Sequence, residues 1–150
     1  MDNSQTPIII GSDHAAFPMK ETVKNFLSDT GIEVTDAGTS GLESVDYSDF
    51  GIKVAGAVSS GEFERGILIC GTGLGMSMVA NRFKNVRAAL CGDIFSARMS
   101  RLHKYANILV MGGRVIGETL AIEIIKTWLD TEFEGGRHQT RIDKFDFMGK

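Results

Sequence analysis

Cys70 is followed by glycines at alternate positions, Gly71, Gly73 and Gly75, in the run Gly-Ile-Leu-Ile-Cys-Gly-Thr-Gly-Leu-Gly that spans residues 66–75. A thiol is a weak acid that becomes a base or nucleophile when it ionises. A glycine-rich turn lets backbone N–H groups point at an anion or a developing oxyanion. A thiol set against such a turn is therefore a candidate for proton abstraction beside a carbonyl. Other polar side chains recur where apolar runs end. Asp13 and His14 follow the first run, His103 lies after a helical stretch, and Arg114 follows Gly112 and Gly113. Near the end stands Arg137-His138-Gln139-Thr140-Arg141. On a helix, Arg137 and Arg141 project from one face as a fork suited to a phosphate. A base, imidazoles, an oxyanion loop and a phosphate clamp together suit proton transfer on a phosphorylated carbonyl compound.

Each element also has a plainer reading. A Gly-x-Gly-x-Gly turn by itself fits a nucleotide or phosphate loop of any kind. This one lacks the full dinucleotide fingerprint and follows the third strand rather than the first. Free cysteine is often a small buried hydrophobe; Cys91 is read that way, whereas the loop beside Cys70 favours chemistry. His14 and His103, taken singly, fit satisfied polar residues as well as functional ones, and Arg137 and Arg141 fit a solvated helix face. Tyr47 falls in a loop, where its hydroxyl either lines a site or caps the core. Met76, Met78, Met99 and Met111 read as packing filler, and Trp128 as a helix anchor on the sheet.

The elements that must position these groups alternate along the chain. Strands are expected at residues 8–10, 32–34, 66–70, 87–90 and 107–111, the third being apolar enough for burial on both faces. Helices are expected at about residues 17–28, 48–60, 76–83, 94–102 and 117–128, with Pro18 in a first turn and Gly31 as a stop. Residues 37–46 read as a loop, and about 131–150 as a polar C-terminal extension outside the sheet, bearing the two phosphate-binding arginines. Five β-then-α units predict one α/β domain over residues 1–150, a Rossmann-like three-layer αβα sandwich on a five-stranded parallel sheet. Open sheets of this kind bind ligands at the carboxyl ends of their strands.

Composition agrees. The 150 residues are 43% hydrophobic and 23% charged, with a formal net charge of −3, ordinary for a globular domain. That charge argues against nucleic-acid and membrane partners. Two cysteines without a pairing pattern indicate neither a disulfide framework nor a metal site, and suit a reducing compartment. The polar first residues lack a signal design and no apolar run approaches membrane-spanning length, so the cytoplasm is the expected location.

Taken in order, the segments Gly-Ser-Asp-His-Ala-Ala-Phe (11–17), Val-Asp-Tyr-Ser-Asp-Phe (45–50), Ile-Leu-Ile-Cys-Gly-Thr-Gly-Leu-Gly (67–75), Ser-Arg-Leu-His (100–103), Gly-Gly-Arg-Val-Ile-Gly (112–117) and Glu-Gly-Gly-Arg-His-Gln-Thr-Arg (134–141) form a specific series. It resembles the B-type ribose-5-phosphate and galactose-6-phosphate isomerase family over about residues 7–145. The resemblance implies an aldose–ketose isomerase of the pentose phosphate pathway. Cys70 would move a proton between sugar carbons 1 and 2 through an enediolate, tuned by Thr72. The amides of Gly71, Thr72, Gly73, Leu74 and Gly75 would form the oxyanion cradle. His103 would open the sugar ring, with Asp13 on the substrate hydroxyls. His14, Arg137 and Arg141 would hold the phosphate, with Arg114 arriving from a partner subunit; Tyr47 and Lys104 complete the substrate-binding set. A sugar phosphate substrate, no metal or organic cofactor, and a homodimer or dimer of dimers with shared active sites are implied.

Several positions depart from the family pattern. Lys104 stands where Asn usually helps hold the substrate's oxygens, and Tyr105 where Asp is common. Ser48 replaces a frequent Pro and Ser12 a frequent Cys, while Met76 occupies the place of a glutamate base found in some relatives. Lys104 keeps open the same chemistry on allose 6-phosphate, galactose 6-phosphate or a tetrulose phosphate. A non-catalytic nucleotide- or sugar-phosphate-binding module and a thiol redox role are the rivals from other classes. The isomerase reading requires the Cys70 sulfur to open on a cleft shared with the imidazoles of His14 and His103.

Overall fold

A computed structural model describes residues 6–148. Its five strands, β1 (Ile8–Ser12), β2 (Val34–Gly38), β3 (Arg65–Cys70), β4 (Ala88–Leu90) and β5 (Ile108–Gly112), are all parallel and lie in the order β2-β1-β3-β5-β4. Each is followed by a helix: α1 (Phe17–Asp29), α2 (Tyr47–Ser59), α3 (Leu74–Ala80), α4 (Ile94–Leu102) and α5 (Glu118–Asp130). A sixth helix, α6 (Arg137–Asp146), gives the C-terminal extension a regular structure. This is the three-layer α/β architecture expected from the alternating pattern.

The order puts β3 at the centre, and every residue of β1, β3 and β5 is buried. Successive side chains point to opposite faces, so β3 feeds two cores. Ile67 and Ile69 pack with Leu27 of α1, Ala97 of α4, and Ile124, Ile125 and Trp128 of α5. Leu68 and Cys70 pack on the other face with Val54 of α2 and Met76 of α3. Cys91 belongs to the first core and Cys70 to the second, so the sheet separates the two free thiols. Trp128, Met76 and Met111 are core residues as expected; Met78, expected as filler, is 69% exposed because it lies on the outer side of α3.

The second strand begins later than the apolar pattern suggests. Gly31 adopts φ 85°, and the N–H groups of Gly31 and Ile32 donate to Ser28 O and Leu27 O at 3.0 Å each. This closes α1, with buried Ile32 as the apolar residue that seals the helix end. Tyr47, expected in a loop, is the first residue of α2. The helix after the glycine loop spans Leu74–Ala80 rather than 76–83, because Thr72 Oγ1 accepts from Leu74 N–H at 3.2 Å and starts it early.

α2 is seated on glycines. A Cβ on Gly75 would stand 2.5 Å from Tyr47 Cε2, and one on Gly51 would meet Val79 Cγ1 at 3.0 Å and Met76 Sδ at 3.1 Å. Gly38, at φ 112°, lies directly under the Phe50 ring.

Lys20 is fully buried, with Nζ 2.6 Å from Asp36 Oδ2; Lys24 Nζ reaches the same oxygen at 2.7 Å. Burial pushes the Asp36 carboxyl up, but hydrogen bonds from Lys20, Lys24 and the Gly38 N–H outweigh it, and its pKa is lowered overall. With the folded value below the unfolded value of about 3.9, the carboxylate adds stability above that pH and loses it as pH falls through the folded value. Asp36→Asn is expected to cost roughly 3 kcal/mol at pH 7, the lower end for breaking a buried pair, because Glu21 Oε2 remains 3.5 Å from Lys20 Nζ. Urea unfolding at pH 7 and pH 3 checks this: the gap between variant and wild type should shrink at the lower pH.

Candidate active site

The carboxyl ends of β1, β3 and β5 meet around Cys70. Cys70 is 4% exposed and packs into the second core with Val54 and Met76. Its carbonyl accepts from Gly113 N–H at 2.8 Å, and Gly71 O accepts from Arg114 N–H at 2.9 Å, which ties the turn after β5 to the glycine loop. The Arg114 side chain therefore stands beside this chain's own loop, within 3.6 Å of where a Gly71 Cβ would be. Within the single chain, the β5–α5 turn carries Arg114 beside its own glycine loop. Gly112 must be glycine, because a Cβ would meet Thr72 O at 2.6 Å. Gly73, at φ 83°, turns the chain into α3. The Leu74 amide is already occupied by Thr72 Oγ1, leaving four of the five amides of residues 71–75 to be considered as an anion cradle.

Asp13 N–H donates to Ile69 O at 3.3 Å, placing this residue next to the end of β3. Its Oδ1 accepts from Ala16 N–H at 3.1 Å and caps a single 3-10 turn at residues 14–16, which leaves Oδ2 for a ligand. His14 Nδ1 accepts from Val45 N–H at 3.1 Å. That bond fixes the proton of the neutral ring on Nε2 and makes it a donor. The Tyr47 ring packs over Gly75 of the glycine loop. Asp13, His14, Tyr47, Cys70, the loop and Arg114 thus share one end of the sheet.

His103, Lys104, Arg137 and Arg141 do not. His103 caps the C-terminus of α4, and residues 103–107 lead into the first residue of β5. Asn107 O accepts from Gly66 N–H near the start of β3. This is the amino edge of the sheet. The five residues of β5 put roughly 15 Å between it and the Cys70 loop at about 3.3 Å per residue. Within one chain, Cys70 shares its end with His14 but not with His103. Glu134 N–H donates to Leu102 O at 3.0 Å and brings α6 to the same edge, so exposed Arg137 and Arg141 accompany His103. Lys104 is exposed on a cavity of about 380 Å³ together with Arg87 and Asp146. Tyr105 stacks on Phe133 at 4.6 Å between centroids and carries the guanidinium groups of Arg87 and Arg101, each 5.4 Å from its ring.

The His103 ring lies face to face on that of His138, with centroids 4.0 Å apart and planes at 12°. His138 was read only as part of the arginine segment. The signal for it was its spacing of four from Glu134, whose Oε1 sits 3.4 Å from His138 Nε2. Imidazole lone pairs lie in the ring plane. In a parallel stack they cannot converge on one cation, so the group His103, Glu134 and His138 suits protons rather than a metal in this geometry.

A family model described as Ribose/Galactose Isomerase matches residues 8–145. The chain belongs to this family. It is an isomerase, and its relatives name sugar phosphates as what they act on. Ribose-5-phosphate isomerase B of Escherichia coli is 45% identical over 136 residues, covering 91% of each chain. D-erythrulose-4-phosphate isomerase of Pectobacterium atrosepticum is 43% identical over 141 residues and 93% of each. The structure of Clostridium thermocellum ribose-5-phosphate isomerase B superposes with a TM-score of 0.93 at 55% identity, over 95% of this chain and 96% of that one. Among the described residues, no helix is long and apolar enough to cross a membrane.

For an isomerase of this family, the second thiol is a poor candidate. Burial, reinforced by Asp93 and only partly offset by a hydrogen bond from Ser100, pushes Cys91 up to about 11. It lies across the sheet from Cys70, so the two cannot form a redox pair without rearranging the core.

Proposed function

We propose that the protein interconverts D-ribose 5-phosphate and D-ribulose 5-phosphate, with Cys70 as the base. The thiolate removes the proton from carbon 2 of the open aldose, and the electron pair moves onto the carbonyl oxygen to give an enediolate. The carbon 2 hydroxyl proton passes to the carbon 1 oxygen, the proton held by the sulfur returns to carbon 1, and carbon 2 becomes the ketone. Free loop amides and Arg114 stabilise the oxyanion, and His14 Nε2–H serves the phosphate or a hydroxyl. The observation that carries this reading is the single thiol at the carboxyl end of the central strand, bounded by the glycine loop, Asp13 and His14. Ring opening precedes this step: His103 gives a proton to the ring oxygen as the carbon 1–oxygen bond breaks. The carbon 1 hydroxyl then releases its proton to water, which reprotonates His103.

These steps need a second copy of the chain. His103 and both arginines sit a strand length from Cys70 of their own chain, so a twofold partner would supply them. Leu74 and Met78 of α3, Leu90 of β4 and Phe95 of α4 are exposed in the single chain and suit burial in such an interface. Arg137→Ala or Arg141→Ala is expected to raise KM at least about tenfold with a smaller change in kcat. Equal kinetics on phosphorylated and unphosphorylated pentoses would count against the clamp.

Lys104 favours a second reading, the same proton transfer on a shorter or longer sugar phosphate. Ketose formation from four-, five- and six-carbon aldose phosphates, measured for wild type and Lys104→Asn, tests both. Ribose 5-phosphate should give the highest kcat/KM. A preference for another sugar in the wild type that moves to ribose 5-phosphate in the variant would assign substrate choice to Lys104. No turnover of any sugar would reduce the protein to a binding module.

A further inference from the structure

We propose that His138 is a positioning residue for His103, holding its imidazole by face-to-face contact in the orientation that meets the sugar ring oxygen. The inference rests on the proposed role of His103 as the ring-opening proton donor.

His103 lies just past the last turn of α4, where its own helix gives it no wall. The wall comes from α6. The His138 ring covers His103 at 4.0 Å and is itself 2% exposed. Two backbone bonds fix the relation between the helices. Glu134 N–H donates to Leu102 O at 3.0 Å, and His138 N–H to Gly135 O at 3.1 Å. Neither ring nitrogen of His138 makes a hydrogen bond among the described residues; Glu134 Oε1, at 3.4 Å from Nε2, is at ion-pair distance only. A buried polar side chain without hydrogen bonds calls for an explanation, and here the part of the ring in use is its face.

The charges around His138 support this use. It faces His103, Glu134, Arg137 and Arg141. Burial and then the neighbouring His103 and Arg137 lower its basicity, with Glu134 opposing. The face of His138, rather than either of its nitrogens, is what meets His103.

The test uses His138→Ala, His138→Phe, His103→Ala and the double alanine variant, each with ribose 5-phosphate and with D-erythrose 4-phosphate. The four-carbon sugar has its carbon 4 hydroxyl blocked by phosphate and cannot close a five-membered ring. On ribose 5-phosphate, His138→Ala should lower kcat about 30-fold with KM within about twofold, the scale of a misplaced catalytic group. His138→Phe keeps a flat ring and should retain at least about a third of kcat. Adding His138→Ala to His103→Ala should cause no further loss, because the two act as a unit. On the four-carbon sugar His138→Ala should be nearly silent; if that sugar is not turned over, the double variant on ribose 5-phosphate decides.

Losses that multiply in the double variant, or a His138→Phe variant as impaired as alanine, would overturn the proposal while leaving His103 as the proton donor. Wild-type turnover by His103→Ala would overturn the donor role itself, and the positioning role with it. Melting temperatures within a few degrees of wild type exclude loss of fold as the cause, and if His138→Ala unfolds, His138→Phe carries the comparison.

Discussion

Cys70→Ala is expected to lower turnover of ribose 5-phosphate by at least about 100-fold while KM changes by less than about threefold. Positioned proton transfer by a side chain is typically worth about 10²–10⁴-fold. Removing the proposed base at the carboxyl end of β3 should forfeit that factor in the transition state alone, so kcat rather than KM should fall. Cys70→Ser separates chemistry from packing. Serine nearly matches cysteine in size but is far harder to ionise, so its activity should fall almost as far as that of alanine. The sulfur also packs with Val54, Met76 and Val110, so a melting curve for each variant shows what the core loses. An alanine variant with a tenth or more of wild-type turnover would remove Cys70 from the mechanism and assign the proton transfer to another group.

The second large effect comes from mixing two inactive proteins. Cys70→Ala and His103→Ala should each be nearly inactive on ribose 5-phosphate. If every site takes Cys70 from one chain and His103 from another, a mixed dimer carries one doubly damaged site and one intact site. Random pairing of equal amounts makes about half the dimers mixed, so about a quarter of wild-type activity should return after co-refolding, by the reciprocity of an isologous interface. Were both residues to serve the same site from one chain, every site in the mixture would carry a lesion and nothing would return. Kinetics with ribose 5-phosphate before and after co-refolding, with mixed dimers isolated on two affinity tags, make the measurement. The prediction follows from the length of β5, which holds the two groups at opposite edges of the sheet.

The architecture was readable because its central strands are unmistakable. Ile67, Leu68 and Ile69 have no polar neighbour to suggest another element, and Ile108 to Met111 form a second unbroken apolar run. The edge strand was less legible. β2 carries exposed Thr35 and Asp36, so its hydrophobic signal is weak, and the nearby Ile32 serves the end of α1 instead. Local spacing also located the carboxyl-end residues, since Asp13, His14 and Cys70 each end an apolar run. What local spacing lacks is the sense of which end of the sheet a helix terminus reaches. His103 and the α6 arginines follow helices that run back toward the strand starts, and only the assembled topology shows their separation from Cys70. His138 stayed hidden for a related reason: its meaning lies in a contact between α4 and α6, 35 residues apart along the chain.

The seating of α2 has a consequence for anyone who would stabilise this protein. Glycine inside a helix is ordinarily an invitation to alanine, a gain of up to about 1 kcal/mol. At Gly51 and Gly75 the backbone would accept the methyl group, but the space is taken by Val79, Met76 and the Tyr47 ring. A methyl group there would act as a wedge, lifting α2 from α3 and tilting the phenol of Tyr47. Thermostability engineering guided by helix propensity alone would therefore loosen the seat of α2 beside the glycine loop.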